Sequence, residues 1–400
     1  MTLKAVPGSS VFQFLVIFYI CAVDFPSHFY LLSYKASAIL TLAAAVIMVL
    51  VYLNLIVFLA PQQSPLGSKI DYGFPLSVII YLFIFLLVIG IANSNFNINT
   101  QQNLACYVII VTSFLLGKRL QSLLDITLVL NKILFASFFS SIVYIATCVK
   151  YGAGTSIIYF PRAISMIACL GLAISFCLGN QKIFKRYLFR AVYLAAILLS
   201  LSRTAILVSS LTLIALTITN STRRIVSAIF VSVSMFVVTN FLFSLPIIRN
   251  RFEFAGDRAV VGGLKINTAG RAKIWELLLE KGSDSFLLGH GIGASEDLVL
   301  NNFPTIAQPH NDFLRVYYDL GIFGLTLLIL TLVLLMVSGR TSRDFNSVSS
   351  SFFRIRSVLV LQLVILMMTD NPIIYPFYTL PLFFVLGALY NSSKSQSNTG

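Results

Sequence analysis

The chain has 400 residues, of which 58% are hydrophobic and only 10% charged, and its formal net charge is +14. So much apolar sequence with so little charge excludes an ordinary soluble globular domain. The lysines and arginines come in small clusters between apolar runs, which points to membrane orientation and anionic lipid or phosphate and argues against nucleic acid as a partner.

In chain order, apolar runs near the ~20 residues that cross a bilayer core predict spans at about 9–23, 36–60, 74–93, 104–116, 122–148, 162–179, 184–201, 203–220, 224–246, 312–338, 354–369 and 372–390. The first is read as a retained span and not a signal peptide, because no small-residue cleavage site precedes Asp24 and Pro26. The five cysteines (Cys21, Cys106, Cys148, Cys169 and Cys177) lie in or at the ends of apolar runs, so a disulfide framework is not expected. With both termini inside, the inner segments hold Lys4, Lys69, Lys118, Arg119, Lys182, Lys185, Arg186, Arg223, Arg224, Arg340, Arg343, Arg354, Arg356 and Lys394, fourteen in all; the short outer ones hold four, Lys35, Lys150, Arg162 and Arg203. That bias follows the positive-inside rule. The expected fold is an all-α polytopic membrane protein of about twelve transmembrane helices: nine in 1–246, a large outside loop over 247–311, three more in 312–390 and a polar tail at 391–400.

The loop carries its own signals. Thr268 can cap a helix running from Arg271 through Ile274, Trp275, Leu277 and Leu278 to Glu280, with Gly282 as its stop and its apolar face on the membrane surface or the helix bundle. A glycine-rich turn follows, Gly289-His290-Gly291-Ile292-Gly293, in which His290 reads as a hinge or surface residue, and then a short helix near 295–300. Pro304 and Pro309 interrupt the chain before His310.

Three basic residues fall on the outer side: Arg203 at the start of the eighth span, Arg271 in the loop helix and His310 before the tenth span. Two guanidinium groups can clamp phosphate oxygens bidentately, and a helix opening at His310 and Asn311 offers free N–H groups and a dipole to an anion. Together they describe a pyrophosphate site at the membrane surface. Position alone leaves each a second reading: Arg203 snorkelling at a helix end, Arg271 on a solvated face, His310 as a structural residue. Asp370, before Asn371 and Pro372, reads as a sugar or acceptor contact or as a partner for one of the arginines. No Asp-X-Asp pair or His/Cys ligand cluster occurs in the loop, so neither a metal nor another cofactor is called for.

The run Pro309-His310-Asn311-Asp312-Phe313-Leu314, continuing to Gly321-Ile322-Phe323-Gly324, resembles the signature of bacterial O-antigen ligases and O-antigen polymerases: His-Asn, nine residues, Gly, two residues, Gly. Leu201-Ser202-Arg203-Thr204-Ala205 resembles that family's Ser-Arg-Thr segment; Gly270-Arg271 with Ile274-Trp275, then Leu288-Gly289-His290-Gly291, resembles its loop segment. The spacing from Arg251 to Gly262 resembles one in polymerase loops and adds Arg251 as a substrate contact. The resemblance implies a multispanning glycosyltransferase of the bacterial inner membrane whose site faces the periplasm. It implies undecaprenyl pyrophosphate-linked oligosaccharide as donor, with Arg203 and Arg271 on the pyrophosphate and His310 essential. The acceptor is a second lipid-linked glycan for a polymerase, with a chain-length regulator as a further partner, or lipid A-core for a ligase. Thr369-Asp370-Asn371-Pro372 and the Pro-His-Asn-Asp-Phe-Leu-Arg run look more like polymerases; a lipid-linked sugar transporter or flippase is the reading from another class. Asp319 stands where many relatives carry Glu, and a charge network of Asp312, Arg315 and Asp319 at helical spacing accounts for those three equally well.

Overall fold

The computed structural model describes residues 34–59, 74–120, 126–154, 161–177, 183–217, 258–261, 264–267, 271–304, 308–337 and 347–390, with isolated residues between 226 and 241. The elements are α1 (Tyr34–Leu59), α2 (Phe74–Ala92), α3 (Ile98–Leu120), α4 (Ile126–Tyr151), α5 (Pro161–Cys177), α6 (Ile183–Leu199), α7 (Arg203–Thr217), a hairpin of β1 (Arg258–Val261) and β2 (Leu264–Asn267), α8 (Arg271–Gly282), α9 (Ala294–Asn302), α10 (Asp312–Val337), α11 (Ser347–Thr369) and α12 (Pro376–Ala388). The span expected at 9–23, the tail, the Thr268 cap and Arg251 lie outside the described residues, as does most of the span at 224–246.

The helical expectation holds, with the antiparallel hairpin in the loop as its exception; Arg258 pairs with Asn267 and Val261 with Leu264. Among the described residues, Thr127–Tyr151 and Asp312–Val337 are long and apolar enough to cross a membrane, and five shorter apolar helices accompany them. Three expected spans differ clearly in extent, of which that at 354–369 begins at Ser347. The one at 104–116 begins earlier, at Ile98, because Asn97 Oδ1 accepts the Thr100 N–H at 3.0 Å and so caps a polar first turn that reads as loop. The one at 372–390 is shorter: Pro372–Ile374 form a 3-10 turn and α12 has 13 residues. Such a helix rises only about 20 Å, less than a full crossing. It lies buried against α3, where a Cβ on Gly117 would sit 2.0 Å from the Phe384 carbonyl oxygen and one on Gly387 2.1 Å from that of Phe114. Small residues at such a seam let two backbones touch, which is how helices associate in lipid.

α10 changes character along its length. Its first turns bury Asp312, Arg315 and Asp319, while Phe323, Ile329, Leu330, Val333 and Met336 further on are exposed apolar side chains. The change falls at Gly321, whose φ of 68° and ψ of −169° break the helix. The glycine-rich turn takes over the interrupted bonds: His290 and Gly291 N–H donate to the Tyr318 and Asp319 carbonyls at 2.9 and 3.0 Å, and Ile322 N–H donates to Phe286 at 2.9 Å. A Cβ on Gly321 would meet the Leu287 carbonyl oxygen at 2.2 Å, so the position admits only glycine. On top of the main bundle core, Ile274, Leu278, Val299 and Tyr318 form a second apolar cluster. The apolar face of α8 therefore lies on α10 and α9, the bundle side of the two surfaces expected for it.

Candidate functional site

The Leu-Ser-Arg-Thr run is a helix start. Leu201 adopts a left-handed φ of 55°, Ser202 Oγ accepts the Ala205 N–H at 3.3 Å as the cap of α7, and Arg203 follows as the first helical residue, with its side chain exposed. Thr204 Oγ1 lies 2.8 Å from Thr369 Oγ1 at the end of α11. Thr369 is a junction: its carbonyl accepts a hydrogen bond from Arg271, the first residue of α8, and the next residue is Asp370.

His310 also has a left-handed backbone, φ 55°, between Pro309 and the start of α10. Such a conformation in a non-glycine residue costs about 1–3 kcal/mol and persists where the surroundings impose it. Here the Trp275 indole N–H donates to the Pro309 carbonyl at 3.0 Å on one side, and Asn311 caps α10 on the other. The result places His310 Nδ1 3.4 Å from Asp370 Oδ1, with the two side chains 18% and 8% exposed. A carboxylate at Nδ1 favours the tautomer with its proton there, leaving the Nε2 lone pair available.

The charges of Arg162 and Arg271 act on this pair, and those of Arg162 and Arg203 act on Arg271. Burial lowers the Arg271 guanidinium to about 10, Arg162 and Arg203 push the same way and Asp370 opposes them, so Arg271 remains a cation at neutral pH. Burial lowers His310 below the ordinary imidazole value of 6.5, and Arg162 and Arg271 add to that, while Asp370 opposes it. Burial alone would raise the Asp370 carboxyl; the His310 hydrogen bond, Arg162 and Arg271 outweigh it and hold the group below its usual value. At neutral pH the arrangement is thus an ionised carboxylate, a neutral imidazole and three guanidinium groups.

A second charged cluster adjoins it and is closed. Arg315 is fully buried, with Nη2 2.7 Å from Glu296 of α9 and Nη1 3.7 Å from Asp312. Asp319 accepts the Gly293 and Ser295 N–H groups at 3.1 and 2.8 Å and so caps α9 from α10. Asn97 and Asn99 hold the other side of α9 through Asp297, at 2.6 and 2.8 Å. Asn311 Oδ1 accepts the N–H groups of Phe313 and Leu314 at 3.0 and 3.1 Å. Two of the donors expected to be open to an anion at this helix start are therefore engaged by the protein itself. His290 sits in no hinge: its ring stacks on Tyr318 at 4.4 Å, Nε2 lies 2.9 Å from the Lys281 carbonyl oxygen, and its backbone is bonded to α10.

Of the residues singled out in the sequence, Arg203, Arg271, His310 and Asp370 come together at one end of the bundle. Sequence reasoning missed Arg162, which it counted only as an outer charge. The signal was available: Arg162 and Arg203 are two of only four lysines and arginines on the short outer segments. Residues 188–329 match the family described as O-antigen ligase. No curated protein matches the chain. The matched segment holds Arg203, Arg271, His310 and the Gly321–Gly324 pair, and supports placing it in the O-antigen ligase and polymerase superfamily. Arg162 and Asp370 fall outside it; the sequence had singled out Asp370, and geometry alone brings Arg162 to the site.

Proposed function

We propose that the protein is a polysaccharide polymerase of the bacterial inner membrane. On this reading it is a multispanning glycosyltransferase that moves undecaprenyl pyrophosphate-linked glycan onto the non-reducing end of a second lipid-linked repeat unit at the periplasmic face. The observation that carries the reading is the excess of guanidinium groups around a half-buried His–Asp pair. A sugar pyrophosphate needs that combination: cations where the leaving group gathers negative charge, and a neutral base where a hydroxyl loses its proton. The acceptor oxygen bonds to the anomeric carbon as the bond from that carbon to the pyrophosphate oxygen breaks. The hydroxyl proton goes to His310 Nε2, and Asp370 stabilises the imidazolium through Nδ1. Arg162, Arg203 and Arg271 take the place that a divalent metal fills in other sugar transfers. A single displacement of this kind inverts the anomeric centre.

Purified protein given only undecaprenyl pyrophosphate-linked repeat units, with chelator and without lipid A-core, should yield a ladder of longer lipid-linked glycans. If no ladder forms, and glycan appears on lipid A-core once that acceptor is added, the protein is a ligase and the polymerase reading is overturned. Appearance of the intact donor in the opposite leaflet, without new glycosidic bonds, would identify a flippase.

A further inference from the structure

Between α8 and the glycine-rich turn, three consecutive apolar side chains are open: Phe286, Leu287 and Leu288 are 50%, 55% and 38% exposed. They follow the 3-10 turn at Ser283–Ser285, in the stretch that the sequence assigns to the outside loop. A contiguous apolar patch left open on a folded chain marks a surface that meets lipid or another protein.

Backbone contacts fix the level of these residues in the bundle. Ile322 N–H donates to the Phe286 carbonyl at 2.9 Å, and the Phe286 ring stands edge-on to Tyr317 with centroids 6.3 Å apart. The next residue of α10, Phe323, is 52% exposed and opens the row that continues with Ile329, Leu330, Val333 and Met336. Four residues beyond Leu288, Ile292 N–H donates to the Gly90 carbonyl at 3.1 Å, and a Cβ on Gly90 would meet Leu320 Cδ2 at 2.7 Å. Gly90 stands in the last turn of α2, a helix of 19 residues, about 28 Å long, whose Leu82, Phe85 and Val88 are also exposed. Two lipid-facing rows therefore reach the level of Phe286–Leu288, one on each helix.

Length gives the same answer. From Phe323 to Val337, α10 rises about 21 Å, some 9 Å short of the roughly 30 Å of hydrocarbon in a bilayer. The row does not continue upward on α10, because the helix breaks at Gly321 and its first turns bury Asp312, Arg315 and Asp319. Phe286, Leu287 and Leu288 are bonded to α10 at the place where its own apolar row stops.

We propose that Phe286, Leu287 and Leu288 insert among lipid acyl chains, in the leaflet at the end of the bundle that carries His310, and complete the apolar belt of α10. Part of the loop is thus anchored in the membrane. His290 and Gly291, the next residues but one, are bonded to the Tyr318 and Asp319 carbonyls, so the anchor holds the first turns of α10 at a fixed depth. The proposal needs a chain that spans a bilayer and does not rest on the glycosyltransferase reading.

The unaltered protein in vesicles of phosphatidylglycerol and phosphatidylcholine, with a photoreactive group at the acyl-chain ends, tests the insertion. Light should attach lipid to Phe286–Leu288 as well as to the exposed row of α10, and leave the exposed polar end of α9 at Asn301 unlabelled. Labelling of Phe323–Val337 without labelling of Phe286–Leu288 overturns the proposal. Tryptophan quenching then separates lipid from a protein cover. Trp275 is the single tryptophan of the chain, so its signal is subtracted, and Phe286→Trp exchanges one exposed aromatic ring for another. Brominated acyl chains should quench the tryptophan added by Phe286→Trp several-fold more than that added by Asn301→Trp, and acrylamide should do the reverse. Equal acrylamide quenching of the two places the turn in water, and protection from both quenchers places it under a second copy or another protein; either result overturns the insertion.

Discussion

Two charged clusters meet at the first turns of α10, built from the same residue types in opposite ways. Around Arg315 the acids outnumber the single cation, every side chain is 3% exposed or less, and Glu296, Asp312 and Asp319 each have a protein partner. Around His310 the cations outnumber the acid, Arg162 and Arg203 are exposed, and the imidazole is 18% exposed. The first cluster can hold α9 against α10 but has no face on which to receive a substrate. The second carries three arginines beside one acid and has a route to solvent, the combination expected of a site that receives an anion. Exposure and charge balance, more than residue identity, separate scaffold from site.

Breaking the closed cluster should have the largest effect. Arg315→Ala leaves Glu296 as an uncompensated buried charge and should cost about 3–5 kcal/mol. Little folded protein should be recovered, read by size-exclusion profile and thermal unfolding in detergent. His310→Ala should do the reverse, leaving that profile intact while lowering transfer by about 10²–10⁴, the usual share of a general base. Arg203→Ala and Arg271→Ala should each cost about 10²–10³ in rate, as loss of one donor to a developing charge does. Arg→Lys at either position should restore only part, since an ammonium lacks the planar fork.

Smaller effects sharpen the contrast. Burial holds His310 below 6.5, so transfer should be flat through neutral pH and fall as the pH drops below that value, when the imidazole takes up a proton and can no longer accept one. Asp370→Asn removes the group that opposes this lowering and should move the acid limb further down in pH. Lys281→Ala, at a half-exposed pair 3.8 Å from Glu280, should stay within about 0.5 kcal/mol by thermal unfolding and leave transfer unchanged.

What the sequence disclosed follows from the range of its signals. α8 from Arg271 to its stop at Gly282, the start of α9 and the break between α6 and α7 depend on caps, glycines and periodicity within a few residues, and all were legible. The ion pair of Arg315 with Glu296, the anchoring of Asp297 by Asn97 and Asn99, and the junction at Thr369 join residues 19, 200, 198 and 98 positions apart, which no local pattern encodes. The sequence favoured Asp370 over Asp319 as a contact at the site, but only packing shows Asp319 capping α9 and Asp370 beside His310. The break at Gly321 was hidden because the apolar sequence runs on unbroken beyond it. The glycine spacing that resembles the family signature is, in physical terms, the place where the loop docks.

The central claim is that the exposed cluster binds pyrophosphate through its arginines and uses His310 to take the proton. Binding and single-turnover transfer of a fluorescent undecaprenyl pyrophosphate-linked donor, measured side by side in the unaltered protein, His310→Ala and Arg271→Ala, test it most directly. The account predicts that His310→Ala binds the donor as the unaltered protein does and fails to transfer it, whereas Arg271→Ala loses affinity and rate together. Near-normal transfer by His310→Ala, or undiminished donor binding by Arg271→Ala, would contradict it.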